Sequence, residues 1–233
     1  MSFLTLAELD ALVAAPDRTS WEGRRDHALL VVAVQTGLRV SELIGLNRDD
    51  VNLGNGAHVR CHGKGRKERL TPLSRSSTAT LRVWLLERVG GPTDPVFPTR
   101  TGRRLSRDAI QRRVAKHAAV AEVRCSSLRS KRVTPQVLRH TAAMRLLHAG
   151  VDTSVIALWL GHEDIRSTQM YLHADLTIKE RALARTAPAS VPPGRYRPAD
   201  PLLAFLEGLL LCRPRQRPEL AEARLVGIIP ESA

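Results

Sequence analysis

"VNLGNGAHVRCHGKGRKERLTPL", residues 51–73, interrupts an otherwise helical pattern and decides the fold class. Short runs suited to extended chain, separated by Gly-rich turns, read as three strands in an antiparallel meander. Side chains alternate along a strand, so in the middle run Ala57, Val59 and Cys61 share one face while His58, Arg60 and His62 share the other. The sheet is expected to present an apolar side to a core and a basic side away from it.

On either side the period is helical. "TLAE" at 5–8 forms a capping box, and "GRRDHALLVVAVQTG" gives a buried helix ending at Gly37. Past residue 74, Leu81, Trp84, Leu85 and Arg88 keep helical spacing, and Ser106 caps "SRDAIQRRVAKHAAVA". In "TPQVLRHTAAM", residues 134–144, Thr134 is a cap and Pro135 suits the first turn; this helix should stop at Gly150. "DTSVIALWL" follows, closed by Gly161, then "STQMYLHADL", capped by Ser167, and "TIKERALART". The expected fold is mainly α with a small three-stranded antiparallel sheet, an α+β class. Five prolines between 187 and 201 mark a linker. The expected division is a domain at 1–185, a Pro-rich linker at 186–201 and a tail at 202–233 with a short apolar helix.

Charge narrows the partner. The chain carries 36 Lys and Arg against 23 Asp and Glu, a net of +13, and only five of the basic residues are Lys. An Arg-dominated excess predicts a polyanion gripped through paired donors, with nucleic acid as the leading class. Three widely spaced cysteines, Cys61, Cys125 and Cys212, make no disulfide framework and fit a reducing cytoplasm. The apolar run "PLLAFLEGLLL" at 201–211 is broken by Glu207 and too short to span a bilayer, and no signal-peptide pattern opens the sequence. A cytoplasmic protein without a membrane partner is expected.

The first turns of "TPQVLRHTAAM" set Gln136, Arg139 and His140 among Val137, Leu138, Ala142 and Ala143. A buried-looking face that seats a guanidinium needs a reason. Three other stretches pose the same question: "TGLRVSEL" (36–43), "GKGRKER" (63–69) and "LGHEDIRSTQMY" (160–171). In order and spacing the four resemble the catalytic domain of the tyrosine recombinase/integrase family, over about Thr5 to Arg185.

The resemblance implies a role for each matching residue. Arg39 and Arg139 would clamp the scissile phosphate, where guanidinium donors stabilise charge gathering on the non-bridging oxygens. A structural ion pair with nearby Glu42 is the competing reading for Arg39. Lys64, between Gly63 and Gly65 at a turn, would be the general acid for the departing 5′-oxygen, against a plain solvated lysine. His162 would donate to the phosphate or the leaving group. Tyr171 would be the nucleophile; the other tyrosine, Tyr196, lies in the Pro-rich linker. The reaction implied is site-specific cleavage and rejoining of double-stranded DNA through a 3′-phosphotyrosyl intermediate, with no cofactor and no metal. In agreement, a P-loop is missing, and "HVRCH" at 58–62 splits its metal-type ligands between strand faces. A tetramer on DNA is implied, with Leu202, Phe205, Leu206 and Leu209 docking on a neighbouring copy or on the chain's own domain.

Two departures qualify the resemblance. Gln136 stands where the family has a His placed to accept the phenolic proton, and the chain opens at the catalytic domain, without the usual N-terminal helical DNA-binding domain. Slowed cleavage is expected from Gln136, and weakened DNA affinity and strand exchange from the missing domain, with His140 as a substitute base or, more simply, a packed structural histidine. The alternative functions are a DNA-binding relic with weak or no catalysis, a type IB topoisomerase-like relaxing enzyme, and a helix-turn-helix regulator, which leaves Lys64, His162 and Tyr171 unexplained.

Overall fold

The computed structural model describes residues 3–63 and 68–161, all within the first of the two units into which the chain divides, Met1–Thr186. Lys64, His162 and Tyr171 lie outside the described residues, as do the linker, the tail and the helices expected at "STQMYLHADL" and "TIKERALART". The described elements run α1 (Leu6–Ala14), α2 (Trp21–Thr36), α3 (Val40–Gly45), β1 (Val51–Asn52), β2 (His58–His62), β3 (Glu68–Pro72), α4 (Arg75–Glu87), α5 (Arg107–Ala121), α6 (Pro135–His148) and α7 (Thr153–Leu160). Short 3-10 turns occupy Arg48–Asp50 and Ser126–Ser130.

The helix ends follow local chemistry. Ser20, Ser74, Ser106 and Thr134 each accept a backbone N–H of the first turn through the side-chain hydroxyl, so one orphan donor of each of α2, α4, α5 and α6 is met. Gly37 ends α2 and Gly161 ends α7, both in the left-handed region at φ 64°. Neither α3 nor the 3-10 turns was expected from the sequence. α3 has six residues and follows Arg39, an N-cap residue that makes no side-chain cap, so it lacks both the length and the start signal that reveal a helix.

The meander forms with β2 in the centre: Val51 pairs with Val59, and Cys61 with Arg69, in antiparallel register. Val59 and Cys61 point into the core, fully buried, as their alternation requires. Burial pushes the Cys61 thiol up to about 11, which makes it a packing group and not a nucleophile. The expected basic face is present but its charges are shared. Arg60 contacts Asp50 at 3.3 Å, and His62 lies between Asp50, 3.0 Å from Nε2, and Glu68, 3.2 Å from Nδ1.

α2 is the central rod. Its Ala28, Leu29, Leu30, Val32, Ala33 and Val34 are buried, and it packs against α1, α4 and α6. Each such Leu stabilises the fold by about 2–5 kcal/mol when measured by truncation to Ala. Trp84 of α4 fills the space beside it, edge-on to Trp21 at 5.3 Å between centroids, and its Nε1–H donates to Val96 O at 2.8 Å. Near the start of α2, Asp26 is buried and holds Arg25 through two donors at 2.9 and 2.7 Å, with His117 Nε2 of α5 at 2.9 Å. Burial would raise the Asp26 carboxyl; the His117 hydrogen bond and the Arg25 charge outweigh that and keep it below the usual carboxylate range. Among the described residues no helix is long and apolar enough to cross a membrane.

The capping box of α1 has a second use. Glu8 accepts from its own cap, Thr5 N–H, at 2.8 Å, and also from Ser127 Oγ at 2.6 Å and Lys131 Nζ at 2.7 Å. The box therefore ties α1 to the segment before α6. Burial alone would raise this carboxyl, but the hydrogen bonds from Lys131, Ser127 and Thr5 and the Lys131 charge hold its pKa down to about 2 from an ordinary 4.5. A depressed carboxylate stabilises the fold above its unfolded pKa and loses that contribution as pH falls through the folded one. Glu8→Gln is expected to cost about 2 kcal/mol at pH 7. In urea titrations the gap to wild type should close between pH 4.5 and about 2; a gap that does not change with pH would refute the ionic account.

Candidate active site

Two helix C-termini meet in one place, and cationic side chains fill the space between them. The last carbonyls of a helix have no intrahelical partner and carry the negative end of its dipole, so they attract guanidinium donors. Arg139, in the second turn of α6, reaches both ends: its Nη1 donates to Gly37 O and its Nη2 to Leu160 O, each at 2.7 Å. It is buried, 4% exposed. Arg39, two residues past Gly37, donates through Nη2 to Gly161 O at 2.9 Å. Trp159 of α7 completes the join, its Nε1–H donating to Thr36 O at 3.1 Å.

Both glycines are required by space as well as by φ. A Cβ on Gly37 would stand 2.7 Å from Leu160 Cδ2 and 3.0 Å from Ala142 Cβ; a Cβ on Gly161 would stand 2.7 Å from Arg69 Nη1. The helix ends approach as closely as they do because neither carries a side chain there.

Arg39 has the ion pair that the competing reading proposed, and keeps an open side as well. Its backbone N–H donates to Glu42 Oε2 at 2.7 Å, which closes the first turn of α3, and its Nη1 lies 3.2 Å from Glu42 Oε1. The Arg39 side chain stays 41% exposed, whereas that of Glu42 is 3% exposed. The principal partner of Glu42 is Arg69 of β3. Arg69 gives Nη1 and Nη2 to the two Glu42 oxygens, both at 2.8 Å, and donates Nε–H to Trp159 O at 3.1 Å. Burial would raise the Glu42 carboxyl, but the Arg69 hydrogen bonds, the Arg39 N–H and both guanidinium charges hold it below the usual range.

Sequence reasoning passed over Arg69 and gave Glu42 only the part of a competitor. A signal existed: in β3 the alternation that buries Thr71 turns Arg69 toward the same inner face, opposite Cys61. An inward-facing guanidinium demands a buried carboxylate. Which carboxylate answers it is a long-range fact, since Glu42 lies 27 residues away.

Of the sequence-derived candidates, the described residues bring together Arg39 and Arg139. Gln136 is exposed on the first turn of α6, with its Nε2 3.4 Å from His140 Nε2. His140 is half-buried. Burial and then the Arg139 charge lower its pKa, so its imidazole is neutral at pH 7. Lys64, His162 and Tyr171 are outside the described residues, although Gly161, which accepts from Arg39, immediately precedes His162 in the chain.

Comparison with known proteins gives a consistent result. Residues 2–177 match the Phage integrase family. The chain is 57% identical over 209 residues to "Putative integrase/recombinase y4rC" of Sinorhizobium fredii, covering 90% of this chain and 63% of that one. It is 40% identical over 175 residues to tyrosine recombinase XerD of Pseudomonas aeruginosa, covering 73% of this chain and 56% of that one. Among solved structures, XerA recombinase superposes with a TM-score of 0.68 at 26% identity, over 82% of this chain and 65% of that one. XerH bound to its difH substrate before cleavage gives 0.65 at 25% identity, over 79% and 54%. The chain thus spans 63% or less of the length of these curated relatives.

Gly161→Ala tests the contact between the helix ends. A left-handed backbone with a Cβ costs about 1–3 kcal/mol, and the added atom displaces Arg69. The variant is expected to lose about 2 kcal/mol in chemical denaturation and to weaken the Glu42–Arg69 pair, seen as an upward move of the Glu42 pKa in carboxyl-detected NMR. An unmoved Glu42 would show that Arg69 does not depend on the glycine.

Proposed function

The chain belongs to the phage integrase family, and from that membership we propose that it cuts and rejoins double-stranded DNA as a tyrosine recombinase. The single observation that carries the proposal is the pair Arg39 and Arg139, which share the α7 end through the Gly161 and Leu160 carbonyls, with Arg139 also held by Gly37 O of α2. Carbonyl anchoring fixes each guanidinium before any ligand arrives, and preorganised donors stabilise a transition state without reorganisation at the moment of reaction. A net charge of +13 favours the approach of a polyanion.

In this reading the Tyr171 hydroxyl attacks the phosphate in line. A P–O bond forms to the tyrosine, the bond from phosphorus to the 5′-oxygen breaks, and the 3′-phosphate stays on the protein. The phenolic proton goes to a base; the departing 5′-oxygen takes a proton from Lys64, with His162 donating to the phosphate. Arg39 and Arg139 bind the non-bridging oxygens. Reversal with a 5′-hydroxyl from another duplex completes strand transfer, and the phosphotyrosyl ester conserves the bond energy. Pairing of such events requires more than one copy on DNA, with a tetramer as the assembly that exchanges two duplexes.

Gln136 sets the rate. A free phenol has a pKa near 10, so about one molecule in a thousand is ionised at neutral pH, and an amide cannot accept its proton. His140, one helical turn further on with its Nε2 3.4 Å from Gln136 Nε2, is the candidate substitute base.

Two measurements test this reading. On a nicked suicide duplex, wild type should form a covalent adduct that survives denaturing electrophoresis, and Tyr171→Phe should bind the same DNA and form none; adduct from the variant would transfer the role elsewhere. Gln136→His should form adduct about ten-fold faster or more, compared across pH 6 to 9. Equal rates at every pH would make Gln136 a full replacement.

A further inference from the structure

We propose that Arg69 is a positioning residue for the phosphate clamp: by taking both oxygens of Glu42, it leaves Arg39 available to the scissile phosphate. The inference rests on the recombinase reading and concerns how its clamp is kept open. It starts from an asymmetry in the way one buried carboxylate is shared. Arg69 meets Glu42 with a parallel fork, two contacts at 2.8 Å. Arg39 offers Glu42 one side-chain nitrogen at 3.2 Å and turns the other to Gly161 O. The Arg69 side chain is 13% exposed, while that of Arg39 is 41% exposed. Two charge-assisted bonds in a fork are stronger and more directional than one long contact, so the Glu42 charge is committed to Arg69. Arg39 remains at the rim with part of its fork open.

Glu42 itself is needed, because its Oε2 accepts the Arg39 backbone N–H and so fixes where α3 begins. A carboxylate in that position is also a competitor. It is a fixed anion within reach of the guanidinium that must bind another anion. Arg69 removes the competition without removing the carboxylate. Its third donor, Nε–H to Trp159 O, holds α7 in place, so the same side chain steadies the Gly161 carbonyl on which Arg39 rests.

Loss of the Arg69 charge would leave Arg39 as the one guanidinium contacting Glu42 among the described residues. The Arg39 fork would then close on Glu42 and withdraw from phosphate. A purely structural role makes a different forecast for a second substitution. Removing the Glu42 charge as well would relieve the competition, whereas a structural defect would be deepened by it. Gln at 42 still offers an oxygen to the Arg39 N–H, so the turn of α3 is retained.

The full chain is compared as wild type, Arg69→Gln and Arg69→Gln/Glu42→Gln, with two measurements on each. The first is the single-turnover rate of adduct formation on the nicked duplex at saturating DNA. The second is the NMR shift of the Arg39 Nε–Hε resonance through a titration with inorganic phosphate. Arg69→Gln is expected to be slower by about 100-fold, the scale of a misplaced catalytic group, with DNA affinity nearly unchanged. The double variant should recover about ten-fold or more of that loss. The phosphate-induced shift of Arg39 should vanish in Arg69→Gln and return in the double variant. A double variant as slow as Arg69→Gln, or an Arg39 shift equal in all three chains, overturns the proposal. If wild type forms no adduct, the recombinase reading fails, and the phosphate titration still decides whether Arg69 governs Arg39. Should Arg69→Gln fail to fold, Arg69→Lys replaces it. That variant keeps the charge without the fork and is expected to lose less than ten-fold, while a loss of about 100-fold would contradict the charge argument.

Discussion

Five backbone carbonyls at two helix ends have to be satisfied in one small volume, and the rest of the site is built on how this is done. Thr36 and Gly37 close α2; Trp159, Leu160 and Gly161 close α7. Their oxygens accept, in that order, from Trp159 Nε1, Arg139 Nη1, Arg69 Nε, Arg139 Nη2 and Arg39 Nη2. Unpaired carbonyls buried away from water would each cost about 1–3 kcal/mol. Donors from four side chains answer that need, and three of them are guanidinium groups. The fold thereby gathers positive charge at a defined point as a consequence of satisfying its own backbone.

That solution has an electrostatic cost that points toward an anion. Arg39 and Arg69 share the buried carboxylate Glu42, while Arg139 rests on the Gly37 and Leu160 carbonyls, whose dipoles supply only partial charge. Like charges held close in a low-dielectric setting repel, and a bound anion offsets that repulsion. Among the described residues Glu42 is the one carboxylate paired with Arg39 and Arg69.

Much of this was legible in the sequence, for reasons that differ residue by residue. Thr5 with Glu8, Thr134 with Pro135, and the closing glycines Gly37 and Gly161 act on neighbours within one turn, so their effect can be read locally. The meander was legible because alternation and Gly-rich turns leave few other readings. Arg139 stood out as a charge on an apolar face. Arg69 did not, because its meaning lies in Glu42 and Trp159, 27 and 90 residues away. α3 was missed for a related reason: its N-cap residue, Arg39, is fixed by Glu42 gripping its N–H and not by a side-chain cap of the usual kind. The further use of Glu8 was hidden too, since the capping box predicts Thr5 but not Ser127 or Lys131.

The central helix explains why the five carbonyls stay in register. α2 has 16 residues and is therefore roughly 24 Å long. A rod of that length, held only by apolar contacts, can slide or turn slightly at little cost, because dispersion and burial are not directional. Polar anchors at both ends remove that freedom. Near the start, Asp26 locks against Arg25 beside it and His117 of α5. At the end, Gly37 O accepts Arg139 from α6. Hydrogen bonds to charged groups fix distance and direction together, so rotation of α2 about its axis would break anchors to two different helices at once. The position of Gly37 O is thus set from both ends of the rod, and Arg139, which reads that position, inherits a precision that packing alone would not give.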